Sequence, residues 1–486
     1  MAFNIKNALR FSLLCLSTWT TATSTRKTVH LSLSGHIDQS QVYSFVYVPF
    51  EVEEGVTSIS VVQDYALKGN GSSLDLGLFD QRGNEVPDSF GQFGTRGWSG
   101  GKRNNFTITP AWATPGYNPG PISPGTWSVA LGPYESTAKG IDWTLQISLG
   151  FDAINATFTP TYAPTNLDPI SNGYTEEEEF TWQRGDFHMH TIYSDGKYTP
   201  EQQLAIGQSQ NLSFVFLSDH NTDTSNQIAG SVQAVHAPDL LVGRAIEVTT
   251  RYGHWHAVGI EREQLIDWRY KPGDKPGFAE AAEHVRRAGG FISINHPFAD
   301  CPACNWSLGW ESNDAVEVWN GPWGPTDEQA VQLWQRMLID GKRVTAVGGS
   351  DSHSPPSVNG LPTSVVKGRG RSQAAIIEGV KAGRVYLVQG PGMDVAFEVV
   401  SASLVAPAQI GDRVSVERKD VRFAAEGLAG QRLCLISNQG YFYNASIAGH
   451  KEIVHAVHLG AKFVRAEVRN STSDEMLALT NPVWFS

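Results

Sequence analysis

Cysteine is scarce, with four residues in a chain of 486. Cys15 sits in an apolar leader, which leaves Cys301, Cys304 and Cys434. A zinc knuckle needs two thiol pairs, and Cys434 has no partner with which to make a second. Cys301 and Cys304 form C-x-x-C in "DCPACNW", without the context of a thioredoxin-like redox motif. A local disulfide clipping this loop is the expectation in an oxidising compartment, with Cys434 a buried free thiol.

Basic charge is also in deficit: 37 Lys and Arg face 49 Asp and Glu, for a net charge of −12. That argues against a nucleic-acid partner, which would need a basic groove, and against an anionic membrane surface. Long apolar runs are missing beyond the leader. "FSLLCL" (11–16) follows Lys6 and Arg10 and precedes the small residues of "TWTTATS". This is the pattern of a secretory signal peptide over residues 1–24, too short to span a bilayer. The processed protein is expected to be soluble and extracellular. N-x-S/T sequons at Asn70, Asn105, Asn155, Asn211, Asn305, Asn444 and Asn470 suit a secreted glycoprotein.

Glycine and proline are plentiful, at 48 and 25, which favours short strands and turns over a helical bundle. The length exceeds one ordinary core, so two or three domains are expected. Residues 28–160 alternate apolar and polar at period two in "QVYSFVYVPFEV", "VTSISVVQDY", "SLDLGLFD" and "GTWSVALGPY". Gly/Pro clusters separate these runs, and an N-terminal β-sandwich is predicted. His30 and His36 are isolated there and read as surface residues. Residues 161–182 form a linker whose consecutive glutamates, 176–179, read as solvated charge.

From residue 183 strand-like runs alternate with helical ones. Strands are predicted at "DFHMH", "LSFVFLSDH", "LLVGRAIEV", "WHAVGI", "GFISINH", "AVEVWN" and "RVTAVGGSD". Helices are predicted at "TPEQQLAIGQSQ", capped by Thr199 with Gln202 at N3, at "FAEAAEHVRRAGG", and at "TDEQAVQLWQRMLIDG", opening on Thr326. Alternating β and α elements imply an α/β fold with a parallel sheet, closed or nearly closed into a barrel over 183–390. Residues 391–486 read as a small C-terminal β-domain.

The predicted strand ends carry metal-ligand residue types. "GDFHMHTIYSDG" holds His188 and His190, which share one face by strand parity. "LSDHN" holds Asp219 and His220, "GRAIEVTT" Glu247, "GHWHAVG" His254 and His256, "INHPF" His296, and "GGSDSH" Asp351 and His353. In a β/α barrel such ends converge on one rim. Gathering that many imidazoles and carboxylates without an ion would carry a heavy desolvation and repulsion cost, so a metal centre is expected.

The ordered set H-x-H, S-D-H, a lone Glu, His before an apolar run, N-H-P and S-D-x-H resembles the PHP (polymerase and histidinol phosphatase) domain, a distorted (β/α)7 barrel with a multinuclear metal centre. The flanking β-regions, "GHWHAVG" and "GRVYLVQGPG" look like its carbaryl-hydrolase-like (CehA/McbA) branch. The resemblance implies that His188, His190 and Asp351 hold one ion. It implies that Glu247 bridges to a second, held by His296 and either His254 or His256. His220 and His353 would hold a third, with Asp195 of "YSDG". Two or three divalent ions, Zn²⁺, Mn²⁺ or Fe²⁺, suit these mixed N/O donors.

Asp219 is expected to orient a ligand imidazole, and His353 to serve in catalysis as well as ligation. Arg251 of "TTRYGHWH" is a candidate phosphate contact, whereas Arg369 and Arg371 read as a solvated basic loop. The expected activity is metal-dependent hydrolysis of a small organic phosphate ester. A carbamate, amide or carboxylic ester is the alternative, and a non-catalytic binding protein with a relict barrel the second alternative. The small-molecule substrate is expected to carry an apolar or aromatic group. Of the tryptophans near the rim, Trp255, Trp306, Trp310, Trp319 and Trp323, core burial is the default for any one, and Trp306, Trp310 and Trp323 in Gly/Pro-rich loops are the candidates for an aromatic wall.

Overall fold

The computed structural model describes residues 28–85, 94–167, 180–449 and 452–486. The leader with Cys15 and the glutamate run lie outside the described residues. Eight strands come first: β1 (Val29–Ile37), β2 (Val46–Val52), β3 (Ser58–Tyr65), β4 (Ser73–Phe79), β5 (Thr95–Gly100), β6 (Asn105–Ile108), β7 (Gly125–Glu135) and β8 (Ile141–Gly150). They form two four-stranded antiparallel sheets, ordered β1-β8-β3-β6 and β2-β7-β4-β5. Alternate residues such as Ile59 and Val61, Leu74, Leu76 and Leu78, and Leu145, Ile147 and Leu149 fill one core between them, as period-two patterning requires. His30 and His36 are exposed, on Ser148 and Asp142.

The second unit runs β9 (Phe180–Asp186), α1 (Pro200–Ser209), β10 (Phe214–Leu217), α2 (Ala229–His236), β11 (Leu241–Thr250), β12 (Gly253–Val258), α3 (Phe278–Arg287), β13 (Phe291–Ile294), β14 (Ala315–Asn320), α4 (Pro325–Ile339), β15 (Thr345–Gly349), β16 (Thr363–Arg369), α5 (Gln373–Lys381) and β17 (Val385–Val388). The sheet order is β15-β14-β13-β12-β11-β10-β9-β16-β17.

Besides β16, which is antiparallel to both β9 and β17, two features depart from the expected parallel barrel. First, β12 is antiparallel to both β11 and β13. A tight turn at residues 251–252, not a helical crossover, joins β11 to β12, and a hairpin can only be antiparallel. Gly253 sits at φ +113°, and a Cβ there would lie 2.7 Å from the Trp306 ring.

Second, no closed barrel forms among the described residues. β9 is paired on both sides, by β10 and β16, and β15 ends the sheet; the segments that follow β9 and β15 meet at one bridge, Met189 to Ser352. His190 N–H donates to Ser352 O at 3.0 Å and Asp351 N–H to His188 O at 2.9 Å. The residues that would extend a ladder here are the ones turned inward as site residues.

The helices pack on the outside of this sheet. Thr199 caps α1 and Gln202 reaches back to it. Helix α4 does not open on Thr326: Gly324 is the N-cap, and Asp327 at N3 accepts its N–H at 2.7 Å. Helices α2 and α5 were not legible in the sequence.

The expected boundary at 390 falls inside a continuous sheet. Strand β17 pairs with Met476–Thr480, and Phe463–Arg469, Arg432–Ser437 and Gly440–Ser446 follow in order. A separate four-stranded sheet is built around Asp394–Val400 and Asp420–Glu426. Glu467 is fully buried between Arg465 at 2.8 Å and Arg469 at 2.7 Å. Arg469 also reaches Glu328 on α4 at 2.9 Å. Removing one partner of a buried ion network leaves its charges uncompensated, at a cost of about 3–5 kcal/mol. Glu467→Gln should therefore lower the thermal unfolding midpoint by several degrees, measured calorimetrically, whereas Glu452→Gln on an exposed pair should leave it unchanged.

Candidate metal centre

Two apolar anchors aim the first pair of imidazoles. Phe187 packs against Phe214, Phe216 and Phe291, and Met189 is buried with Leu204 and Leu217. The intervening His188 and His190 are thereby turned into the interior, both fully buried, with Nε2 atoms 3.1 Å apart. The buried Asp186 carboxylate fixes the local backbone, accepting N–H groups from His188, Ser350 and Gly360.

Four donor atoms then converge. Asp351 Oδ1 lies 3.1 Å from both Nε2 atoms, and Glu247 Oε2 lies 3.4 and 3.3 Å from them. An ion bound tetrahedrally at about 2.0–2.1 Å implies donor–donor edges of about 3.3–3.4 Å, close to these distances. The other Glu247 oxygen, Oε1, faces His296 Nε2 at 3.1 Å and His254 Nδ1 at 3.4 Å. Glu247 therefore stands between two donor sets. His220 Nδ1 approaches Oε2 at 3.0 Å, which brings His220, Glu247 and His254 into one group.

His256, opposite Glu247 in the β11–β12 ladder, packs edge-on against His188 at 4.2 Å. It forms a possible donor group with His188 and Glu247. Both histidines of "GHWHAVG" thus reach the centre, at different positions. A further group holds His190, Asp195, His220 and His353, with Asp195 Oδ1 at 3.2 Å from His353 Nε2 and 3.5 Å from His220 Nε2.

The electrostatics fit a cation. Burial opposes charge on His188, but Asp351, Glu317 and Glu247 override it and hold its pKa well above the ordinary value. Burial would also raise the acids, yet His188 and its neighbours hold Glu247 and Asp351 well below the carboxylate range. Burial pushes His254 down to about 4 and His256 well below its usual value, leaving both in the neutral form that ligates metals. Glu247 Oε2, Asp351 Oδ1, His254 Nδ1, His256 Nε2 and His296 Nδ1 are buried without a hydrogen bond of acceptable geometry. Buried polar atoms are rarely left so, and divalent ions would satisfy the first three. His296 and Asp351 adopt φ of +25° and +50°, strained conformations that cluster at functional sites.

Two expected roles change. Asp219 reaches an imidazole only through Ser194: it accepts Thr191 N–H and Oγ–H at 2.8 Å and Ser194 Oγ–H at 2.6 Å, and Ser194 Oγ lies 3.4 Å from His190 Nδ1, so it orders the loop after His190. Arg251 is not a free phosphate contact, because its guanidinium donates to Asp75 of β4 at 2.6 Å and lies over the Tyr134 ring.

Sequence reasoning missed Glu317. It binds His188 Nδ1 at 2.9 Å and accepts the His296 N–H at 3.0 Å, fixing the tautomer and direction of a donor. Its signal was a lone acid inside the apolar strand "AVEVWN".

The donors open on a cavity of about 560 Å³. Asp195, His220 and His254 line its floor, and Trp98, Tyr134 and Trp268 its walls. The expected aromatic wall is not there. Trp255 and Trp319 are fully buried, Trp306 is nearly so, and Trp310 and Trp323 pack on Trp306 and Trp319. Cys301 and Cys304 form a disulfide, and Cys434 is a buried free thiol.

No family model and no curated protein matches the chain. Among solved structures, a two-domain protein from Bacteroides vulgatus, described as containing a predicted PHP-like metal-dependent phosphoesterase, matches over 68% of this chain and 100% of its own, at 16% identity and a TM-score of 0.37. An amidohydrolase from Chromobacterium violaceum, solved with sulfate and no metal, matches over 41% of this chain and 96% of its own, at 15% identity and a TM-score of 0.28. At these scores the function must be argued from the site itself.

The donor geometry makes metal affinity measurable and pH-dependent. A proton on His188 competes with the ion, so uptake should weaken as pH falls and strengthen as pH rises. Titration calorimetry with Zn²⁺ or Mn²⁺ should show this slope, and Glu317→Gln should weaken the His188 position about 10- to 100-fold. A flat pH dependence with unchanged affinity in Glu317→Gln would contradict the assignment.

Proposed function

We propose that the protein is an exported metal-dependent hydrolase of the PHP type, in its carbaryl-hydrolase-like branch, acting on a small organic phosphate ester. The observation that carries this is Glu247, whose two oxygens each face imidazole donors within 3.4 Å, the arrangement of a carboxylate shared between ions. His188, His190, Asp351 and Glu247 would hold one ion, Glu247, His254 and His296 a second, and Asp195, His220 and His353 a third. Such ions would supply an acidified water at neutral pH and neutralise charge on the ester oxygens.

The chain's own residues supply the rest. Glu317 keeps His188 aimed inward. His353 is one-third exposed beside Asp195, and its Nδ1 on the Asp351 carbonyl at 2.8 Å leaves Nε2 to face the third position. The proton for the leaving oxygen would therefore come from solvent water at the open side of the cavity. Trp98, Tyr134 and Trp268 offer apolar surface to the organic part of the substrate. Nucleic acid and membrane are not proposed as partners of so acidic a chain.

A carbamate or carboxylic ester is the second reading. The Arg251–Asp75 pair favours it, since it cancels the Arg251 charge and leaves Lys102, tied to Asp195 O, as the other cation in the cavity lining. With Mn²⁺ or Zn²⁺ bound, the protein should hydrolyse p-nitrophenyl phosphate or its bis-ester, and a chelator should stop it. His188→Ala and Asp351→Asn should lower kcat/KM at least a hundredfold. Turnover of p-nitrophenyl acetate or an aryl carbamate alone would transfer the assignment to the second reading. No turnover of any of these by the metal-loaded protein would overturn both.

Export is supported by the Cys301–Cys304 disulfide and by six exposed sequon asparagines, Asn70, Asn105, Asn155, Asn211, Asn305 and Asn444. Secreted from a eukaryotic host, the protein should drop in apparent mass on treatment with peptide-N-glycosidase. An unchanged mass would count against the glycoprotein assignment.

A further inference from the structure

Lys102 and Arg103 occupy the turn between β5 and β6 in the N-terminal unit, and both reach out of it. Arg103 Nη2 donates to Ile192 O at 2.6 Å and Nη1 to Ser194 O at 3.0 Å. Lys102 Nζ donates to Asp195 O at 2.9 Å. Two adjacent cationic side chains thus hold three carbonyls within a four-residue stretch of the other unit. Gly116 completes the contact at φ +93°, where a Cβ would lie 2.7 Å from Tyr193 O.

The stretch so held follows His190 and ends on Asp195, the one carboxylate in the His190, Asp195, His220 and His353 donor group. From inside, Asp219 fixes it only at Thr191 and Ser194. The backbone ties Ile192 N–H to Tyr198 O, Ser194 N–H to Thr191 O and Lys197 N–H to His353 O join parts of the rim to each other. The guanidinium fork and the Lys102 ammonium tie the rim to the N-terminal unit. A planar fork suits two neighbouring carbonyls in a way a single ammonium does not.

We propose that Arg103, assisted by Lys102, is a positioning residue for the third ion, so that the N-terminal β-unit controls occupancy of one metal position in the other unit. This rests on the metal-centre reading above. Arg103 touches neither ion nor substrate; it acts through the backbone that sets Asp195.

The test is metal stoichiometry and affinity of the full chain, by elemental analysis after equilibration with Mn²⁺ or Zn²⁺ and by titration calorimetry. Arg103→Ala should weaken one ion at least tenfold while the tighter ions keep their affinity. Asp195→Asn should weaken the same ion, and the double variant should lose little more than either single one. Arg103→Lys should recover part of the loss. Should Arg103→Ala fail to fold, Lys102→Met, an exposed change that removes the tie to Asp195 O, should still weaken that ion measurably. A third ion at wild-type affinity in folded Arg103→Ala, or in folded Lys102→Met, overturns the proposal, as does a wild-type chain that never takes up a third ion. A wild-type chain that binds no ion at all instead overturns the metal-centre reading beneath it.

Discussion

One buried carboxylate organises the centre. Glu247 is fully buried, and β11 delivers it to a point where His188, His190 and His220 face one oxygen and His254 and His296 the other. Five imidazoles crowded together would repel once any of them gained a proton, and one carboxylate alone would bear the full desolvation cost of its charge. Together they make a neutralising set that still leaves buried donor atoms without hydrogen bonds. A cation satisfies both the charge and the orphaned atoms, and for that reason the same residues read more naturally as ligands than as a structural ion network.

The open seam of the sheet follows from the same demand. A continuous ladder between the segments that follow β9 and β15 would commit residues 187–191 and 350–353 to alternating outward and inward positions along regular strands. Instead one bridge at Met189 and Ser352 joins the two segments, and Asp351 turns through positive φ to bring its carboxylate to the two imidazoles. Asp186 accepts an N–H group from each of these two segments, His188 and Ser350. The closed barrel implied by the resemblance therefore gives way where the chemistry needs side chains to converge.

The local part of this was legible. Strand parity gave the shared face of His188 and His190, and capping chemistry gave the start of α1. The ordered donor motifs pointed to a single rim, and the structure brings those residues together. Relations that depend on distant chain segments were not legible. That β11 returns as a hairpin is a matter of one glycine and the Trp306 ring against it. That Arg251 is neutralised depends on Asp75, 176 positions earlier. Glu317 looked like an ordinary strand residue because its partner, His188, lies 129 positions away. The aromatic wall was sought among nearby tryptophans, which the core absorbed, while Trp98 of another unit took that place.

The interface between the two units is consequently part of the site's energetics. Arg251 to Asp75, Arg103 to Ile192 and Ser194, and Lys102 to Asp195 all cross it, and all end within the first turn or two of donor residues. Groups that dock the units also fix donors, so docking and ion binding share one free energy. By reciprocity, an ion that binds more tightly to the docked arrangement must tighten the docking by the same factor. An acidic pair such as Glu247 and Asp351 is held ionised only while its imidazole neighbours stay in place. The N-terminal β-unit is then better understood as one wall of the reaction chamber than as an appendage to it.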